Sequence, residues 1–181
     1  MNASKTAQLL MQVYNLERQG KTFLIFKPSM DTRDIGKVKS RALEDERDAI
    51  LLNKNDAGRA LAHVIDKNPD FVFVDEIQFL TPKQVEEFAY ISMKFNIPVF
   101  AYGLVLSYTG KMFDATKKAI ECGFTFHELK MQCDMCNSKS THHLLFIDGE
   151  LVTDGDGFHV GDEEYKSVCY ECYYSVTECN K

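Results

Sequence analysis

The sequence predicts an α/β fold, a parallel sheet layered between helices, followed by a small metal-stapled tail. Three observations carry this expectation. Short apolar runs alternate with segments of helical periodicity up to about residue 126, which is the pattern of strands joined by crossover helices. From His127 onward short β-like segments and glycines take over. Two Cys-x-x-Cys pairs bracket that tail, which is too small to build a large core of its own.

The elements follow in order. Lys5–Gln19 reads as a helix, because Leu9, Leu10, Val13 and Leu16 recur at helical spacing and Gly20 follows as a stop. Thr22–Lys27 is a nearly continuous apolar run, as expected of a strand buried on both faces. Ser29 to about Asp48 is polar, has no strong period and reads as a loop. Asp56–Asp66 reads as a helix, and Phe71–Asp75 as a second buried strand ending in an acid. Pro82–Lys94 is helical, with Pro82 suited to a first turn. Ile97–Tyr102 is a third strand, and Lys111–Glu121 a further helix with Gly123 as its cap. In the tail, Gly149, Gly155, Gly157 and Gly161 mark turns. The expected division is therefore a domain over residues 1–126 and a smaller one over 127–181.

Composition bounds the function. The chain has 181 residues, 45% of them hydrophobic and 27% charged, so an ordinary core can form and disorder is disfavoured. The formal net charge of −6 repels a nucleic-acid backbone. It argues against a nucleic-acid polymer as partner, including the reading as a zinc-ribbon nucleic-acid binder. It is compatible with a mononucleotide held by a few backbone N–H groups and one lysine. No apolar run reaches the roughly 18 residues of a membrane span, and the first residues do not read as a secretory signal. A cytoplasmic location is the default expectation.

Cys133-Asp-Met-Cys136 and Cys169-Tyr-Glu-Cys172 carry the tail's chemistry. Two residues between thiolates let one tight knuckle present both sulfurs to a tetrahedral ion. Two knuckles fill all four positions, so the ion would be a structural zinc and not a catalytic one. Two disulfides or four unrelated cysteines are the alternatives, and the absence of a secretion signal favours metal. Cys122 and Cys179 stand outside the pairs.

The chain opens Met1-Asn-Ala-Ser-Lys5-Thr6 directly before the first helix. This is the second half of a phosphate loop, whose full form is G-x-x-x-x-G-K-[ST]. In such a loop backbone N–H groups and a helix N-terminus cradle phosphate oxygens, the lysine reaches the terminal phosphates, and the hydroxyl serves Mg²⁺. Taken alone, Ser-Lys-Thr is equally an ordinary helix start with Ser4 as N-cap. Asp75 and Glu76 alter that balance, because they sit at the carboxyl end of an apolar strand. There a nucleotide-binding sheet of the P-loop NTPase-like kind presents its Mg²⁺ carboxylate. A second acid there can accept a proton from an attacking hydroxyl.

Assembled in order, these segments resemble the zinc-containing (type II) thymidine kinases, close to their bacterial and phage members, over nearly the whole chain. The segments are the half phosphate loop, Asp31-Thr-Arg33 with Ser40-Arg41, Asp75-Glu-Ile-Gln-Phe79, Ala101-Tyr-Gly-Leu104 through Tyr108-Thr-Gly-Lys-Met-Phe113, both cysteine pairs, and Val160-Gly161 through Tyr165 to Cys169. The resemblance implies ATP-dependent phosphorylation of thymidine, and of deoxyuridine as a related substrate, at the 5′-hydroxyl. It makes Glu76 the general base. Asn2, Ala3, Ser4, Lys5, Arg33, Asp75 and Gln78 fall on the ATP side together with Thr6. Thr6, Asp75 and Asp31 serve Mg²⁺. The nucleoside would lie among Met1, Phe79, Leu104, Tyr108, Phe113, Phe158, Val160 and Tyr165, with zinc bound by Cys133, Cys136, Cys169 and Cys172. It also implies a homo-oligomer, a tetramer in many members.

The chain departs from the family pattern in three places. The opening strand and first loop glycine would fall ahead of Met1, which makes an upstream extension the expectation and a shortened relative the alternative. Ser4 stands at the last loop glycine, where a side chain crowds a phosphate or meets a φ that serine disfavours. Val105 occupies a position that is arginine in many bacterial members. The alternative function these departures raise is a catalytically impaired relative that keeps the zinc fold and nucleotide binding.

Overall fold

The architecture comes from a computed structural model, which describes residues 4–31, 35–40, 43–155, 157 and 164–178. It comprises two compact units, one formed by Ser4–Leu104 with Asp114–Phe126, the other by Val105–Phe113 with the chain from His127 onward.

The first unit is built on four strands among the described residues: β1 (Phe23–Pro28), β4 (Ile50–Leu52), β5 (Phe71–Val74) and β6 (Val99–Ala101). They pair in the order β4-β1-β5-β6, every pairing parallel. Strand alternation sorts the side chains onto two faces. Ile25 and Phe73, with Phe23 and Phe71 at the margin, pack against Leu9, Leu10 and Val13 of α1 (Lys5–Arg18). Phe26, Val72 and Val74 face α2 (Arg59–Lys67), α3 (Pro82–Phe95) and α4 (Asp114–Glu121), meeting Val64, Val85, Phe88 and Ala115. The two covered faces explain why β1 and β5 read as unbroken apolar runs.

Local chemistry sets the helix ends. Thr81 and Gln84 form a reciprocal capping box at the start of α3, with Pro82 in its first turn. The N-terminus of α2 is capped from another helix: Glu87 accepts from Gly58 N (2.9 Å) and Leu61 N (2.7 Å). The helix expected from Asp56 begins at Arg59 instead, because the Asp56 carboxylate folds back onto Asn53 N and Nδ2. The helix expected from Lys111 begins at Asp114. Backbone groups of Lys111 and Phe113 pair back to Ser107 and Val105, so they are not available to a helix.

The polar stretch expected as a loop contains a hairpin, β2 (Lys37–Ser40) paired antiparallel with β3 (Asp45–Asp48). Its inward signal is a single residue, Val38, 1% exposed and packed on α1. Charge pairing supplies the rest: Lys37 meets Glu46 across the strands, and Arg47 binds Glu17 of α1 at 3.0 Å. Apolar periodicity cannot reveal such an element.

In the second unit, β7 (His142–Ile147) pairs antiparallel with β8 (Glu150–Val152) and β9 (Glu164–Val168). A helix not expected from the sequence, α5 (Tyr170–Glu178), follows. Its core is small: Leu144, Val168, Cys133 and Cys169, with Phe146, Leu151, Tyr173 and Val176 at the margin.

Candidate functional site

The carboxyl ends of β1 and β5 meet the start of α1. Asp75, one residue beyond β5, is 3% exposed and held on both oxygens. Thr6 Oγ1 donates to Oδ2 at 3.2 Å, and the Glu76 backbone N–H donates to Oδ1 at 3.1 Å. Its own N–H donates to Phe26 O at 2.9 Å. Burial, and then the neighbouring Glu76 charge, push the Asp75 carboxyl up to about 7, against the opposing pull of Lys5, Lys27 and the Thr6 hydroxyl. Lys5 is 9% exposed, unusual for a lysine.

Strain marks two residues here. Ser4 has φ 52° and ψ 18°, and its side chain makes no cap hydrogen bond. The left-handed geometry that makes glycine the natural residue is thus present, occupied by serine. Glu76 is also left-handed, at φ 52°, and half-buried. Such backbone costs of order 1–3 kcal/mol and persists where the surroundings hold it. Here the grip comes from Asp75 on one side and from Ile77 N donating to Tyr102 O at 2.9 Å on the other.

Gln78, in the 3₁₀ turn Ile77–Phe79, is 4% exposed and engaged at both ends of its amide. Nε2 donates to Glu76 Oε2, and Oε1 accepts from Leu104 N at 3.0 Å. Leu104 O in turn accepts from Thr116 Oγ1 of α4 at 2.9 Å. Phe79 is half-buried beside them.

A charged pair that the sequence reading missed lies behind this edge. Lys27, 2% exposed, bridges Asp31, 4% exposed, at 3.1 Å and also donates to Lys37 O at 3.2 Å. It ties the turn carrying Asp31 to the hairpin. A lysine closing an otherwise apolar strand was the available signal, since a buried ammonium needs such partners.

In the second unit, Tyr108 is buried, and its hydroxyl donates to Asp154 O at 3.2 Å. Tyr173 of α5 donates to Tyr108 O at 3.0 Å. Gly155 has φ 135°, and a Cβ there would lie 2.4 Å from the Tyr108 hydroxyl, so both space and backbone demand glycine. Phe113 and Tyr165 are half-buried, and Val105 is exposed. Of the remaining expected site residues, Met1, Asn2, Ala3, Arg33, Phe158 and Val160 lie outside the described residues, as do Arg41, Gly161 and Cys179.

The four cysteines of the two pairs converge. Their sulfurs all lie within 4.8 Å of one another. Cys136 Sγ stands 3.7 Å from both Cys169 Sγ and Cys172 Sγ. A tetrahedron with metal–sulfur bonds of about 2.3 Å has edges of about 3.8 Å, so the spacing suits a metal ion such as zinc. Backbone N–H groups of Met135, Ser138 and Cys172 donate to the sulfurs of Cys133, Cys136 and Cys169, each at 3.4 Å, which offsets thiolate charge. Asp134, also missed from sequence, locks the first knuckle to β9. Its Oδ2 accepts from Ser167 N at 2.6 Å, and its N–H donates to Ser167 O at 2.8 Å.

A parallel sheet whose carboxyl edge gathers a lysine, a hydroxyl and two adjacent acids suits a phosphoryl-transfer class of enzyme, and four clustered cysteines that could hold a metal ion follow it in the chain. Comparison with known proteins makes the class specific. The thymidine kinase family profile matches residues 1–173. The chain is 36% identical to a thymidine kinase of Enterococcus faecalis over 183 aligned positions, covering 100% of this chain and 94% of that protein. It is 33% identical to the thymidine kinase of Enterobacteria phage T4 over 180 positions, covering 98% and 93%. It is 31% identical to that of Lactococcus lactis over 176 positions, covering 96% and 93%. The chain belongs to the thymidine kinase family. No helix among the described residues is long and apolar enough to cross a membrane.

Proposed function

We propose that this chain transfers the terminal phosphoryl group of ATP to the 5′-hydroxyl of thymidine, giving dTMP and ADP, with Glu76 as general base. The observation that carries this reading is the grouping of Thr6, Asp75 and Glu76 where α1 starts and β5 ends. Lys5 and the N-terminus of α1 bind the phosphates, aided by Arg33 and the residues 2–4 backbone. Glu76 accepts the proton of the 5′-hydroxyl while the oxygen–γ-phosphorus bond forms. The bond from γ-phosphorus to the bridging oxygen breaks, leaving its electron pair on ADP.

The donor set supports magnesium. Thr6, Asp75 and Asp31 offer oxygen to a hard cation, and a bound cation would offset the burial and the Glu76 charge that disfavour the ionised Asp75 carboxylate. Held by these residues, Mg²⁺ would neutralise phosphate charge during the transfer.

Residues 1–126 form the nucleotide-binding domain, and residues 127–181 the zinc and nucleoside-loop domain. Zinc is the metal of the four cysteines, and it steadies β9, which carries Tyr165 and ends beside Cys169. Thymidine contacts come from Phe158, Val160 and Tyr165 and from Met1, Phe79, Leu104, Tyr108 and Phe113. The enzyme acts in the cytoplasm as a homo-oligomer, a tetramer by likeness to its family.

γ-Labelled ATP tests this reading. Label should pass to thymidine in a Mg²⁺-dependent manner and not to 5′-deoxythymidine, which lacks the acceptor oxygen. Equal labelling of both, or of neither, contradicts it.

A further inference from the structure

We propose that Gln78 is a positioning residue for the Glu76 carboxylate, acting through a relay that runs from α4 to the reacting edge; this rests on the reading of Glu76 as general base. The relay has three hydrogen bonds in series. Thr116 Oγ1 holds Leu104 O, Leu104 N holds Gln78 Oε1, and Gln78 Nε2 holds Glu76 Oε2. Its two side-chain links are rigid because both are buried, Thr116 at 4% and Gln78 at 4% exposure.

The amide orientation is dictated and not free. One end faces a backbone N–H, which only the carbonyl oxygen can accept. The other end faces a carboxylate oxygen, which only the NH₂ group can satisfy. Turning the amide over would oppose donor to donor and acceptor to acceptor. The seat is also fitted to this side chain. A Cβ at residue 103 would lie 2.5 Å from Gln78 Oε1 and 2.7 Å from Ile77 Cγ2, so Gly103 leaves the space that Gln78 fills.

The chemistry gives the arrangement a purpose. Glu76 stands on a left-handed backbone, and a general base must keep one oxygen lined up with the proton it takes. Gln78 fixes Oε2, and with it the plane of the carboxylate. The amide is itself held by the segment leading into Leu104, so the carboxylate inherits the order of the sheet and of α4. A phosphate contact does not need this geometry, and both ends of the Gln78 amide are already engaged.

A double-mutant cycle tests the proposal. Gln78→Ala should lower kcat roughly 10- to 100-fold, the effect of a lost hydrogen bond to a charged group, with KM for thymidine and ATP changed less than about twofold. In a Glu76→Gln background the same change should cost less than about threefold, since no base remains to be aligned. Gln78→Met keeps the length and volume of the side chain, removes the donor, and places no second carboxylate beside Glu76. It should match the kcat loss of Gln78→Ala without opening a cavity, which keeps the test valid if the alanine variant folds poorly. Equal losses from Gln78→Ala in both backgrounds, or wild-type kcat in Gln78→Met, overturn the proposal. If Glu76→Gln alone retains kcat, the base assignment has failed, and the positioning role is refuted with it.

Discussion

Replacing Asp75 by Asn should stabilise the magnesium-free protein while disabling it. Burial and Glu76 raise the Asp75 carboxyl from 3.8 to about 7. Between those values the folded state binds a proton that the unfolded state has released. Stability therefore falls as pH rises through this window and is level above it. The slope is about 1.4 kcal/mol per pH unit, so a rise of about 3 units corresponds to at most about 4 kcal/mol. Asn removes this dependence and fits the same seat: its Oδ1 still accepts from Glu76 N, and the Thr6 hydroxyl can turn to accept from Nδ2. From pH 5.5 to 7 the advantage of Asp75→Asn should widen by about 2 kcal/mol, or roughly 4–8 °C in melting temperature for a chain of this size. The assay is thermal unfolding in nucleotide-free, magnesium-free buffer with the zinc retained. Adding ADP and Mg²⁺ should stabilise the parent more than the variant. A stability gap that stays constant with pH, or a variant less stable than the parent at pH 8, would refute the argument that Asp75 is a buried carboxylate awaiting a cation.

Two other predictions concern the ends of the chain. Metal analysis should find about one zinc per chain, and Cys136→Ser should lose it, loosen the tail and raise KM for thymidine more than KM for ATP; a metal-free protein with parental kinetics contradicts this. Ser4→Gly should raise the melting temperature by roughly 2–4 °C, because it relieves about 1 kcal/mol of left-handed strain, and should not lower kcat; a destabilised variant would show that φ 52° is not strained.

The sequence disclosed the elements whose signal is local and apolar. Phe71–Val74 and Phe23–Pro28 are legible because both faces are covered, and α3 because its box and Pro82 announce it. The hairpin was hidden because charge pairs and one valine hold it. β4 was overlooked because Ile50–Leu52 is three residues long and gains meaning only from pairing with β1. α5 carries no residue classed as buried, so its periodicity is faint. In the site, Asp75, Glu76 and the four cysteines could be marked from motif spacing. Lys27, Asp134 and Thr116 could not, because each acts through a partner distant in sequence: Lys27 on the carbonyl of Lys37, Asp134 on Ser167, and Thr116 on the carbonyl of Leu104. Gln78 was marked with its motif, but its link to Leu104 N depends on the approach of a different strand end.

Single-turnover phosphoryl transfer by Glu76→Gln, compared with the parent chain, tests the central claim most directly. The variant keeps the shape of the side chain and loses its basic oxygen. Positioned base catalysis is worth roughly 10²–10⁴-fold, so the rate of dTMP formation at saturating substrates should fall by that factor, with thymidine and ATP dissociation constants within about twofold of the parent. A variant that forms dTMP at most of the parental rate, while an Asp31 substitution abolishes it, would contradict the account and move the base to Asp31.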